Sequence, residues 1–166
     1  MKVITAPNED YSVENQRNVK LFLAGGITNC WKWQDELIKK LYNQYDHINL
    51  SVYNPRRENF PINDPNAAEE QIVWEYNKLK QSDIISFWFA EGSPNPIVLF
   101  ELGAWMSSNK VIKIGVEEGY ERRFDVKTQL DLYNSDINIK SDLDKLVYSI
   151  FSSYEEVAYN KGLIMI

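Results

Sequence analysis

Two glutamates stand where apolar side chains would be expected. The stretch Pro96-Ile97-Val98-Leu99-Phe100-Glu101-Leu102-Gly103-Ala104-Trp105-Met106 carries Glu101 as its only charge. Burying a lone carboxylate is costly unless its pKa rises, so Glu101 needs a chemical reason, a hidden donor, or a place in solvent. On the helix-forming stretch before it, Ala68, Ile72, Glu75 and Leu79 follow a 4-3-4 spacing and share one face. Glu75 interrupts that stripe, whereas Glu69 and Glu70 suit an exposed first turn and its dipole. Taken alone, Glu75 reads equally as a functional acid or as half of a buried ion pair. Two carboxyl groups flanking one bond are the usual equipment for breaking a glycosidic linkage. One attacks or stabilises the anomeric carbon and the other manages the proton on the leaving group. Such chemistry requires neither metal nor organic cofactor, and none is expected.

The elements that must place these acids follow from hydrophobic patterning. Lys20-Leu21-Phe22-Leu23-Ala24 reads as a buried strand ended by Gly25-Gly26, with a short extended piece possible at Lys2–Thr5. Thr28 or Asn29 is the expected cap of a helix over 31–45. A strand over 49–53 stops at Asn54-Pro55, and a helix runs from Asp64 or Asn66 to Gln81. The strongest strand signal is Asp83-Ile84-Ile85-Ser86-Phe87-Trp88-Phe89. A helix then opens at Pro96, where proline is tolerated in the first turn, and is expected to end near Ser108-Asn109. A strand over 111–116 and helices over 125–133 and 141–154 complete the pattern, and residues 1–19 read as a polar lead-in. Strands alternating with helices imply right-handed crossovers and a parallel sheet of four to five strands in one α/β domain spanning 1–166. Ligands of such sheets sit outside the carboxyl ends of the strands, so the loops at 25–29, 54–64 and 90–95 should frame the site.

Composition narrows the partners. The chain has 166 residues and a formal net charge of −6 with no long Lys/Arg block, which argues against binding nucleic-acid polymers. Aromatic residues make up 13%, a supply of flat rings for a core or for a nucleobase pocket. Cys30 is the single cysteine, in keeping with a reducing, cytoplasmic setting, and His47, the single histidine, lacks ligand partners, so no metal site is expected. No signal peptide or membrane span is legible.

Four segments together resemble the nucleoside 2-deoxyribosyltransferase-like family: Leu21-Phe22-Leu23-Ala24-Gly25-Gly26-Ile27, Tyr53-Asn54-Pro55-Arg56-Arg57, Glu70-Gln71-Ile72-Val73-Trp74-Glu75-Tyr76 and Pro96-Ile97-Val98-Leu99-Phe100-Glu101-Leu102-Gly103. The resemblance covers roughly residues 18–132. It implies a flavodoxin-like three-layer sandwich that exchanges bases on 2′-deoxyribonucleosides through a deoxyribosyl-enzyme ester. It places the nucleophile at Glu101, the acid that serves the departing base at Glu75, and the sugar pocket at Gly25 and Gly26. It further implies a homo-oligomer whose neighbouring subunit completes each site, with the region of Asp125 as the nearest counterpart of the residue that subunit supplies. Where members carry a further acid before the nucleophile helix, this chain has Asn95, and Glu91 earlier in the loop is the candidate substitute.

Other residues carry open readings. Arg56 and Arg57 read as a solvated loop pair or as partners of Glu58 or Glu69, with a hold on a 5′-phosphate as the functional alternative. Trp88 is placed to stack on a base or to fill the core. Asp83 reads as structural, and the absence of G-x-G-x-x-G counts against a dinucleotide site. The expected substrate is thus a small nucleoside or nucleotide. The leading function is transfer of 2-deoxyribose between bases. The rivals are hydrolysis of a 2′-deoxynucleoside 5′-monophosphate and nucleotide sensing without turnover.

Overall fold

The short apolar runs become strands, and both faces of the sheet they form are covered. The computed structural model describes residues 1–10, 12 and 17–165, so part of the expected polar lead-in lies outside the described residues. The strands are β1 (Lys2–Thr5), β2 (Val19–Gly25), β3 (Leu50–Asn54), β4 (Ile84–Phe89) and β5 (Val111–Val116). The helices are α1 (Trp33–Tyr45), α2 (Ala67–Gln81), α3 (Pro96–Trp105), α4 (Arg123–Tyr133) and α5 (Leu143–Asn160). All neighbouring strands pair in parallel, in the order β1-β3-β2-β4-β5. The chain steps from β2 to β3 in one direction and then recrosses β2 to reach β4. That reversal leaves a crevice at the carboxyl ends of β2 and β4, where open α/β sheets hold ligands.

Alternate side chains of each strand feed two cores. Leu21, Leu23, Ile84 and Trp88 pack against α1 and α5, while Phe22, Ala24, Phe87 and Phe89 pack against α2, α3 and α4. The result is an α/β three-layer, flavodoxin-like architecture. Because both faces are buried, the strands read as continuous apolar runs rather than alternating ones.

Several local expectations are corrected. Neither Thr28 nor Asn29 caps α1; Asn29 takes a left-handed conformation (φ 57°) and the helix starts at Trp33. α3 stops at Trp105, whose carbonyl is satisfied outside the helix by the Ser108 hydroxyl at 2.6 Å and the Ser108 N–H at 3.0 Å. α5 runs on to Asn160, since its apolar face continues through Tyr154 to Ala158, which is fully buried. The core face of α2 is Ala67, Trp74, Lys78 and Leu79 rather than the stripe through Ala68 and Ile72. Lys78 is buried because its ammonium pairs with Glu9 and lies 5.3 Å from the Tyr53 ring and 5.9 Å from the Trp74 ring. Asp83 proves structural, accepting the Lys20 N–H at 2.9 Å and the Lys161 ammonium at 2.6 Å, at the sheet end away from the crevice.

With α1, α5 covers one face of the sheet through side chains such as Leu146, which has no exposed surface. Leu146→Ala should lower unfolding stability by about 2–5 kcal/mol in urea titrations, the range for emptying a leucine-sized volume in a close-packed core.

Candidate active site

The crevice at the ends of β2 and β4 contains a cavity of about 350 Å³. Its floor is the end of β2, Ala24-Gly25-Gly26; one wall is Ser93–Asn95 with the first turns of α3, and the other is α2. Glu75 of α2 and Glu101 of α3 both line it. The acids reach the same space because α2 and α3 flank the crevice on one face of the sheet, packed through Trp74 and Leu79 and through Val98 and Leu102.

Each carboxyl is held in a different environment. Glu101 is pushed up to about 8, first by burial and second by the charge of Glu75. Glu75 is also raised by burial, but a hydrogen bond from Gln71 and the nearby Arg57 guanidinium pull it back. The amide nitrogen of Gln71 donates to Glu75 Oε1 at 2.6 Å and to the Pro55 carbonyl at 2.8 Å. Arg57 in turn donates through Nε to Gln71 Oε1 at 2.6 Å and through Nη2 to Glu70 at 2.8 Å. Near neutral pH Glu101 therefore keeps its proton, while the Gln71 and Arg57 donors favour charge on Glu75.

The glycine turn is rigid. The Gly26 carbonyl accepts from Trp33 Nε1 at 2.9 Å, Arg56 Nη2 at 3.3 Å, Gln34 Nε2 at 3.4 Å and the Cys30 thiol at 3.0 Å. A Cβ on Gly26 would overlap the side chains of Asn95 and Ser93, and one on Gly25 would overlap Trp33. Asn95 is 4% exposed and left-handed (φ 49°); it exchanges hydrogen bonds with Ser93, whose hydroxyl donates to Oδ1 at 2.9 Å while Nδ2 donates to the Ser93 carbonyl at 2.9 Å.

The structure thus brings Glu75, Glu101, Gly25, Gly26 and Asn95 to one cavity. It places the other candidates elsewhere. Trp88 is 1% exposed and packs on Trp33 in the opposite core, so its ring has no face toward the cavity. Glu91 points away over Gly119, and its N–H donates to Glu117 at 2.7 Å. Asp125 lies beside Arg122 at the mouth of a separate groove of about 550 Å³ between α3 and α4. Arg57 supports Gln71 from outside the cavity wall, with a side chain only 7% exposed. Gly103 has open space around it among the described residues.

Sequence reasoning missed Gln71, Ser93 and Glu117. The i, i+4 spacing of Gln71 and Glu75 on one helix was the available signal for the first. Glu117 accepts from Trp31 Nε1 at 2.7 Å as well as from the Glu91 N–H, tying two of the rim loops together, a long-range contact that spacing cannot reveal. Among the described residues, no cluster of three or more His, Cys, Asp or Glu side chains is placed to hold a metal, and no helix is long and apolar enough to cross a membrane.

The Glu101 shift fixes a sign for stability. The unfolded chain ionises this group near its ordinary 4.5, while the folded chain keeps the proton up to about 8. Folding stability therefore falls as pH rises across that window and the cost levels off above it. Glu101→Gln should match the wild type in acid and become more stable than it by several kcal/mol at about pH 8.5, since each unit of the shift is worth about 1.4 kcal/mol, read by urea denaturation at both pH values.

Comparison with known proteins gives one clear result. No curated protein matches the chain significantly. Residues 18–120, which hold the whole cavity, match the family described as nucleoside 2-deoxyribosyltransferase like. The chain belongs to that family.

Proposed function

We propose that this chain transfers a 2-deoxyribosyl group between nucleobases, with Glu101 as nucleophile and Glu75 as the acid that serves the leaving base. The observation that carries the reading is the carboxyl pair: two acids in one half-enclosed cavity, with Glu101 raised by burial and by Glu75. A pair that holds one proton has the stoichiometry the reaction needs. When the substrate excludes water, the proton passes from Glu101 to Glu75, leaving Glu101 as the carboxylate. Its oxygen attacks the anomeric carbon as the N-glycosidic bond breaks, and the bonding electrons leave with the base nitrogen, which takes the proton from Glu75. The products are a neutral ester on Glu101, an ionised Glu75 and a neutral base, so charge is conserved. A second base reverses each step. The Gly25-Gly26 turn, pinned through the Gly26 carbonyl, gives the sugar a fixed floor to rest on.

The phosphate-dependent rival gains no support from its distinguishing residues. Arg56 is bound to Gly26, Gln34 and the Trp31 carbonyl, and Arg57 to Gln71 and Glu70.

The reading includes self-association. α3 and α4 leave large apolar side chains in solvent, with Ile97 64%, Phe100 75% and Phe124 80% exposed. Single exposed apolar residues are ordinary, but several on adjacent helices beside a groove suit a second copy. Asp125 sits at that groove, in keeping with a neighbour completing each site.

Two experiments follow. Purified protein incubated with deoxyinosine and cytosine should form deoxycytidine; Glu101→Ala should reduce the rate by at least about 10³-fold and Glu75→Gln by about 10²–10⁴-fold. Absence of any new nucleoside, or full activity in Glu101→Ala, contradicts the reading. Sedimentation should show a dimer or larger, dissociated by Phe100→Glu; a wild-type monomer removes the self-association.

A further inference from the structure

Glu75 does not stand alone on α2. One turn earlier, Gln71 is the hub of three short hydrogen bonds whose polarity allows a single orientation of its amide. Arg57 Nε is only a donor, so the amide atom it meets at 2.6 Å is the oxygen. The NH₂ group must then face the other two partners, the Pro55 carbonyl at 2.8 Å and Glu75 Oε1 at 2.6 Å. Both of its hydrogens are used and the amide cannot turn over. Arg57 is itself fixed, by Glu70 at 2.8 Å and by the Phe60 ring 5.5 Å from its guanidinium carbon.

We propose that Gln71, clamped by Arg57, is the positioning residue of this site: it aims Glu75 into the cavity and, by presenting only a donor, decides which of the two acids carries the negative charge. The proposal rests on the carboxyl-pair reading above and deepens it. The groups that face Glu75 agree. Arg57 approaches from the segment after β3, Glu101 from α3, and Glu70 from its own helix beyond Arg57. The β2 side of the cavity contributes Phe22, Ala24 and glycine backbone, with no charge. Gln71 and Arg57 act in the same direction, lowering Glu75 against its burial, while Glu101 has no such donor among the causes of its shift. In the mechanism this keeps the mobile proton on Glu101 until a bound base makes Glu75 the better relay.

The test uses the full chain without substrate. Carbon NMR of labelled glutamate carboxyls, assigned by the signals lost in Glu75→Gln and Glu101→Gln, reads both titrations directly. Loss of one hydrogen bond to a charged group should raise the Glu75 midpoint in Gln71→Met by about one pH unit, with the higher Glu101 step unmoved. Arg57→Lys keeps the charge but loses the Nε–H that orients the amide, and should shift Glu75 in the same direction by less. This second variant decides the matter if Gln71→Met does not fold. A Glu75 midpoint unchanged in the variants that fold overturns the proposal, whether or not the wild type catalyses transfer. Where it does, the acid limb of the kcat profile should move upward in Gln71→Met while the alkaline limb stays. A uniform loss of kcat at every pH would assign Gln71 a merely structural role and also overturn the proposal. Absence of wild-type transfer with shifted titrations would instead sink the transferase reading and leave the positioning role standing.

Discussion

Two carboxyl groups that share one half-enclosed cavity cannot both be charged without a large electrostatic cost. That constraint governs the site. Burial raises both groups, the charge of Glu75 raises Glu101 further, and the Gln71 and Arg57 donors favour charge on Glu75. Glu101 therefore keeps a proton into the neutral range, beside a carboxyl group whose donors favour its charged form. A surface pair would be ionised on both members at neutral pH and would have no proton to lend.

The scaffold serves that constraint by rigidity around the cavity. The Gly26 carbonyl takes donors from α1, from the loop before it and from the segment after β3, so the floor is fixed from several directions. Asn95 and Ser93 close the space that a side chain at Gly26 would need. Glu117, at the end of β5, ties Trp31 to the loop that follows β4. Tyr120 adds a hydroxyl bond to the Pro94 carbonyl at 3.1 Å beneath the same loop. Polar groups around the rim thus satisfy one another, and the two acids are left facing the cavity.

Much of this was legible in the chain. The alternation of apolar runs with helical stretches specifies the parallel sheet, and the isolated charge of Glu101 marks the site because nothing else in α3 is polar. The acid at 75 was found by an argument only partly right: the core stripe of α2 runs through Trp74 and Lys78, and Glu75 sits at its edge with Ile72, on the cavity lip. A lysine reads as solvent-facing until the rings and the carboxylate that enclose it are placed by the fold. Trp88 shows the reverse limit. A strand buried on both faces has no polar side to reveal which core each residue enters, so its direction could not be read from pattern. Glu117 was hidden for a third reason, since its partners, Trp31 and the Glu91 N–H, lie far from it in sequence.

The account turns on a sugar becoming bonded to one carboxylate. Acid quenching of the enzyme with a purine deoxynucleoside, followed by peptide mass spectrometry, measures that bond directly. The account predicts a peptide heavier by one 2-deoxyribosyl group, with the added mass on Glu101 and none in Glu101→Gln. Release of free base with no adduct at Glu101, or an adduct on another side chain, would contradict it.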